Sequence, residues 1–226
     1  QGRVSAYGRG RAMSATQTGI PQPVVQASVA DLFADRNSYW IPDHQRPYQW
    51  TAAEVETLLN DVHDRWTKHG NGASLAKYYQ LNAMTWFDDG GKRVLFDGQQ
   101  RVTTIYLLLA GSLKVVFEAL NSDTYDAESR DRIEAVRQTL VSALRTTDMS
   151  GSASLRLIDQ FTESNDSLQA IVNAALKGDT VKLLDGYAKA YRAVIRWIGE
   201  KFTQETPERQ AEELSTYLAY LMGYGV

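Results

Sequence analysis

The sequence contains no cysteine, which removes disulfide frameworks, cysteine-bearing zinc sites and thiol nucleophiles together and suits a reducing cytoplasm. It has no run of about 18 apolar residues, the length a membrane-spanning helix needs, and its start lacks the apolar region of a signal peptide. These absences lead us to expect a soluble, cytoplasmic protein. Positive charge is not in excess either: the formal net charge is -3, so contact with nucleic acid has to come from a local patch. Its three histidines, His44, His63 and His69, form no His-Asn-His grouping of a nuclease. Gly90-Gly91-Lys92 lacks both the earlier glycine and the following Ser or Thr of a Walker A loop. Asn165-Asp166-Ser167 matches a glycosylation acceptor without any secretory context.

What is present is enough apolar material for a core, 43% of 226 residues, as one large domain or a core with a helical annex. Every charged residue before Asp31 is an arginine (Arg3, Arg9, Arg11), in a segment with little to fold around. Residues 1–24 read as a flexible basic tail, with a DNA-backbone arm as the functional alternative. The folded part begins near Val25. Ser28 can cap a short helix to Ala34, and Tyr39-Trp40-Ile41 reads as a short strand stopped by Pro42. Thr51 and Glu54 form a capping box, and Val55, Leu58, Leu59, Val62 and Trp66 then recur at helical spacing to about Lys68. The aromatic stretch 78–87, the turn signal Asp88-Asp89-Gly90-Gly91 and the run Arg93-Val94-Leu95-Phe96 suggest a hairpin. Residues 102–120 are apolar nearly all round, as in a helix buried within a domain. Helical periodicity continues at 127–144, 159–176, 180–202 and 207–221, with no internal repeat.

Two segments carry chemistry. In Asp97-Gly98-Gln99-Gln100-Arg101-Val102-Thr103-Thr104 a short strand hands over to the buried helix, whose first amides lack internal partners and carry the positive end of its dipole. Gly98 lets a ligand approach the backbone, Arg101 supplies a planar cation suited to phosphate oxygens, and Thr103 and Thr104 add hydroxyl donors. Asp97 is the one acid, able to hold a magnesium ion or orient a water. The same residues equally describe an Asp N-cap with an arginine ion pair. In Ile41-Pro42-Asp43-His44-Gln45-Arg46-Pro47-Tyr48-Gln49-Trp50 two prolines fix an extended path that ends at a helix N-terminus, presenting amide, cation and aromatic groups. Gln45 and Arg46 can read base edges or phosphate, and an aromatic can stack on a base or plug the core, as we read Trp50.

Together the two segments resemble the N-terminal domain family of GmrSD-type restriction endonucleases, whose members carry Ile-Pro-x-x-Gln-Arg-Pro-Tyr-x-Trp and, further on, Asp-Gly-Gln-Gln-Arg-x-Thr-Thr. The resemblance covers residues 25–120 well and the helical remainder loosely, and it departs at His44, where the family often has Tyr. It implies an α+β fold, a small ParB/sulfiredoxin-like mixed sheet core (25–120) with a largely α-helical C-terminal half (121–226). It further implies a nucleoside triphosphatase of GTPase type in an antiviral restriction system, with GTP or another NTP and Mg2+ as cofactors. Asp97, Gln100 and Arg101 would be catalytic, with Asp97 on the metal. Gly98, Gln99, Arg101, Thr103 and Thr104 would bind nucleotide, and Gln45, Arg46, Pro47 and Tyr48 would contact modified DNA. The Ala-, Arg- and Thr-rich composition directs the resemblance to SspE-like members, which respond to phosphorothioate DNA. The alternatives are a sensor of glucosylated hydroxymethylcytosine and a non-hydrolytic DNA-binding module. DNA cleavage is assigned to an HNH nuclease domain expected beyond Val226, because the finish from Ala219 is apolar and uncharged.

Overall fold

The first helix, α1 (Val29–Ala34), starts at Ser28, whose hydroxyl accepts from the Asp31 amide while the Asp31 carboxylate accepts from the Ser28 amide. This computed structural model describes residues 27–34, 38–69, 79–90, 92–122, 125–147, 150–203 and 206–225. The arginine-bearing start, Tyr78 and Gly91 of the expected hairpin, and Val226 lie outside these residues. Strand β1 (Tyr39–Ile41) leads through the proline-bearing loop into α2 (Ala52–His69). There the capping box forms, with the Thr51 amide 2.7 Å from Glu54 Oε2 and the Glu54 amide 3.5 Å from Thr51 Oγ1. Val55, Leu58, Leu59 and Val62 are the buried face of α2. The expected hairpin is β2 (Thr85–Asp89) and β3 (Lys92–Asp97), and β3 runs into the 22-residue helix α3 (Gln99–Leu120).

Beyond α3 come α4 (Ala127–Leu144), β4 (Arg145–Thr147), β5 (Ala153–Leu155), β6 (Leu157–Asp159), α5 (Thr162–Ala175), α6 (Gly186–Lys201) and α7 (Pro207–Tyr224). The main sheet has the order β2-β3-β1-β6, with β2 antiparallel to β3 and both neighbours of β1 parallel to it. A separate hairpin pairs β4 with β5. The fold is therefore mixed α+β, helical for most of its C-terminal half. Helix α3 is long and apolar enough to cross a membrane by composition, but its side chains are buried against α4, α5, α6 and α7, which makes it the central post of the core.

Three features depart from the periodicity. Asp159, read as the start of a helix, is the last residue of strand β6, and Thr162 opens α5 instead. A three-residue strand is too short to show an alternating pattern, and the pairing partner, β1, lies more than 110 residues away. Residues 180–185, also read as helical, precede α6, because Asp185 caps that helix by accepting from the Ala188 amide at 2.8 Å. Helix α3 begins at Gln99, three residues before its apolar run.

Candidate functional site at the strand-to-helix turn

Gly98 makes the turn between β3 and α3 with φ 85° and ψ 3°, a left-handed conformation that side chains disfavour. A Cβ here would also lie 3.3 Å from Met84 Cα, so the position is constrained by conformation and by a crossing backbone. No side chain caps α3. Asp97 does not serve as its cap: the carboxylate is 68% exposed and its nearest cation, Arg101 Nη2, is 4.0 Å away. Arg101 has other partners. Its guanidinium donates to the carbonyls of Leu81 (2.5 Å) and Ala83 (3.1 Å), gripping the segment around Asn82, which itself has φ 67°. The fork thus ties the chain ahead of β2 to the first turn of α3, a contact with no sequence signature.

The two glutamines of the turn hold the other motif. Gln99 Nε2 donates to the Arg46 carbonyl at 2.8 Å, and Gln100 Oε1 accepts from the amides of Gln49 (2.9 Å) and Trp50 (3.3 Å). Gln100 Nε2 also donates to the Pro47 carbonyl at 3.4 Å. From the opposite direction, Gln45 Nε2 donates to the carbonyls of Leu95 (2.8 Å) and Phe96 (3.2 Å) at the end of β3. Residues 45–50 are thereby fastened to residues 95–100 in both directions. Both glutamines are buried, yet Gln99 Oε1 has no hydrogen-bond donor among the described residues.

The expected site residues divide by exposure. Asp97, Arg46 and Pro47 are exposed around the turn. Tyr48 and Thr104 are buried and share a hydrogen bond of 2.8 Å, with Thr104 Oγ1 also donating to the Gln100 carbonyl. Burial pushes the Tyr48 phenol up to about 12, outweighing the bond to Thr104, so it stays neutral. The Tyr48 ring stacks on Tyr187 of α6 at 5.3 Å, and the Tyr187 hydroxyl bonds Asp159 at the end of β6. Thr103 is buried too, and its hydroxyl has no partner among the described residues. His44 is 71% exposed, and its Nδ1 lies 3.9 Å from the carboxylate of its neighbour Asp43. Tyr187, Asp159, Leu81 and Ala83 were invisible from sequence, since none belongs to a motif and each is brought in by pairing across the fold.

Among the described residues no group of three or more His, Cys, Asp or Glu could hold a metal ion. The donor set at the turn, one exposed carboxylate beside uncapped amides, fits magnesium carried in with phosphate oxygens, which needs only one or two protein carboxylates.

The model of the family described as the GmrSD restriction endonuclease N-terminal domain matches residues 29–219. No curated protein matches the chain. The match spans both motif segments and the helices packed on α3, so the chain belongs to the family of GmrSD restriction endonuclease N-terminal domains, within a modification-dependent restriction protein.

Proposed function

We propose that this domain binds and hydrolyses a nucleoside triphosphate, of GTP type, at residues 97–101 and senses modified DNA through residues 45–48, licensing a nuclease domain. The observation that carries the reading is the two-way fastening of these segments by Gln45, Gln99 and Gln100. A ligand that moves one segment has to move the other, which is what a nucleotide-dependent sensor requires.

In this reading phosphate oxygens meet the amides at the start of α3, which no side chain caps. Asp97 would hold Mg2+ and would orient the water that attacks the terminal phosphorus. The oxygen of that water forms the new P–O bond as the bond to the diphosphate leaving group breaks, and its proton passes to the exposed Asp97 carboxylate and on to solvent. Magnesium, when bound, supplies charge neutralisation on the phosphates. Gln99 Oε1, buried without a donor, is an acceptor for a ligand N–H or O–H. Arg46 and Pro47, a cation beside a small apolar ring on the exposed rim, suit a phosphorothioate, because sulfur is softer and less hydrated than oxygen. One observation favours a binding module without turnover: the Arg101 guanidinium is engaged by two carbonyls. A panel of nucleotides, with and without phosphorothioate or glucosylated DNA, read for binding and phosphate release, tests the proposal. Divalent-metal-dependent release that responds to modified DNA is the expected result; binding of DNA with no turnover of any nucleotide would establish the module instead.

A further inference from the structure

A concavity of about 590 Å³ lies where the loop entering α2 meets α6. That size is in the range of ligand pockets. One wall is Tyr48, Gln49, Trp50 and Thr51; the other is the face of α6 that carries Lys189, Arg192 and Arg196. Spacings of three and four residues put these cations on one side of the helix. Two small residues keep the space open. Gly186 sits where a Cβ would be 3.0 Å from the Tyr48 carbonyl, and Ala193 lies between the cations in sequence.

The three cations are not equivalent. Arg196 is committed to Glu56 of α2, with Glu200 3.9 Å away on its own helix. Arg192 spends one N–H on the Leu183 carbonyl at 2.6 Å and keeps the rest of its fork. Lys189 is exposed and has no ion pair or side-chain hydrogen bond among the described residues. Of the acids nearby, Glu56 is held by Arg196, Glu54 by the Thr51 amide and hydroxyl, and Asp185, four residues before Lys189, by the Ala188 amide and the Ser167 hydroxyl, while Glu200 faces Arg196. The cavity therefore offers two available cations beside an indole, in a protein whose overall charge is negative.

We infer that this cavity is a DNA-backbone site in which Lys189 and Arg192 take phosphodiester oxygens beside Trp50. The inference deepens the DNA-sensing half of the proposed function by adding a contact surface apart from Arg46. A phosphodiester bears one charge, which two cations spaced along a helix match. A metal-bound polyphosphate would want a free carboxylate, and Glu54, Glu56 and Asp185 are each held by other partners. The site also shares a wall with the nucleotide turn, since the Gln49 and Trp50 amides are held by Gln100.

The test is fluorescence anisotropy of the whole chain with an unmodified 20-base-pair duplex at several salt concentrations. Nucleotide binding and phosphate release are measured on the same preparations. Lys189→Ala with Arg192→Ala lowers affinity at least about tenfold and flattens the log-log salt dependence by about two units. Lys182→Ala, which removes one positive charge from the segment before α6, leaves the slope near wild type, and Arg192→Lys restores most of the affinity. Wild-type DNA binding in the double variant at every salt concentration overturns the inference. So does loss of nucleotide affinity with DNA binding intact, which would give the cavity to a free nucleotide, and so does a wild-type chain that binds no duplex. Absent phosphate release beside the expected DNA result would remove the hydrolytic reading and leave this site standing.

Discussion

The side-chain oxygen of Gln100 lies 2.9 Å from the amide of Gln49, so a helix residue of one motif fixes the backbone of a loop residue in the other. Truncating it strands several polar groups at once. In Gln100→Ala the amides of Gln49 and Trp50 and the Pro47 carbonyl lose their shared partner, and a buried polar group left unpaired costs about 1–3 kcal/mol. The expected outcome is a midpoint shift of that order in urea unfolding. Gln100→Glu keeps the acceptor but loses the donor to Pro47 and buries a charge, so its loss should grow as pH rises above the carboxylate range. A Gln100→Ala protein as stable as wild type would mean that the loop holds itself.

Arg101 and Asp97 should separate into different phenotypes. Since the Arg101 fork ties Leu81 and Ala83 to α3, Arg101→Ala should lower the melting temperature as well as nucleotide affinity. Arg101→Lys, a point donor without the fork, should recover only part of either. Asp97 is exposed and caps nothing, so Asp97→Asn should leave stability within about 0.5 kcal/mol of wild type while phosphate release falls more than binding. Calorimetry and a phosphate-release assay on the three variants decide the matter. Equal loss of stability in both Ala and Asn proteins, with turnover per folded molecule unchanged, would make the turn purely structural.

Gly98 is expected to tolerate no side chain. Gly98→Ala places a Cβ at φ 85° and within 3.3 Å of Met84 Cα, a backbone atom that cannot swing aside. Strain of this kind costs on the order of 1–3 kcal/mol. The measurement is chemical denaturation of the variant, and a change under about 0.5 kcal/mol would show that the 81–84 segment yields freely.

Much of this arrangement was readable because its causes are local. The Ser28 and Thr51 caps, the turn signal between β2 and β3, and the apolar run of α3 each declare themselves within a few residues. The two motif segments could be recognised from sequence because each is compact. What could not be read depends on distant partners. Strand β6 is three residues long and is defined by pairing with β1; Arg101 is defined by two backbone carbonyls about twenty positions earlier, which any sequence would supply. Likewise the packing of the Tyr48 ring depends on Tyr187, almost 140 residues on, which stacks against it. The cations of α6 had helical spacing all along, but only the approach of the α2 loop gives them a cavity.

His63 gives the fold a pH dependence of a definite sign. Its ring sits among Trp66, Trp197, Phe202 and Tyr217, with centroids 5.4 to 6.0 Å away, and Nδ1 is buried without a hydrogen-bond partner. Burial and then the charge of Lys201 hold its pKa below the ordinary 6.5, against a smaller opposite pull from Asp64 and Glu213. The unfolded chain therefore takes up this proton at higher pH than the folded one. Linkage makes the contribution of His63 fully present above about pH 6.5 and lost as pH falls through the folded value, levelling off below it. The carboxylates held low by hydrogen bonds, Asp31, Glu54 and Asp126, act in the same direction but only once pH drops into the carboxylate range. Unfolding free energies at pH 7.5 and 5.5 isolate the histidine from them. Wild type should be less stable at pH 5.5, and His63→Phe, which keeps an aromatic ring in the cage and removes the proton site, should narrow the difference. If the two proteins lose the same stability over this interval, the imidazole is not the group that titrates.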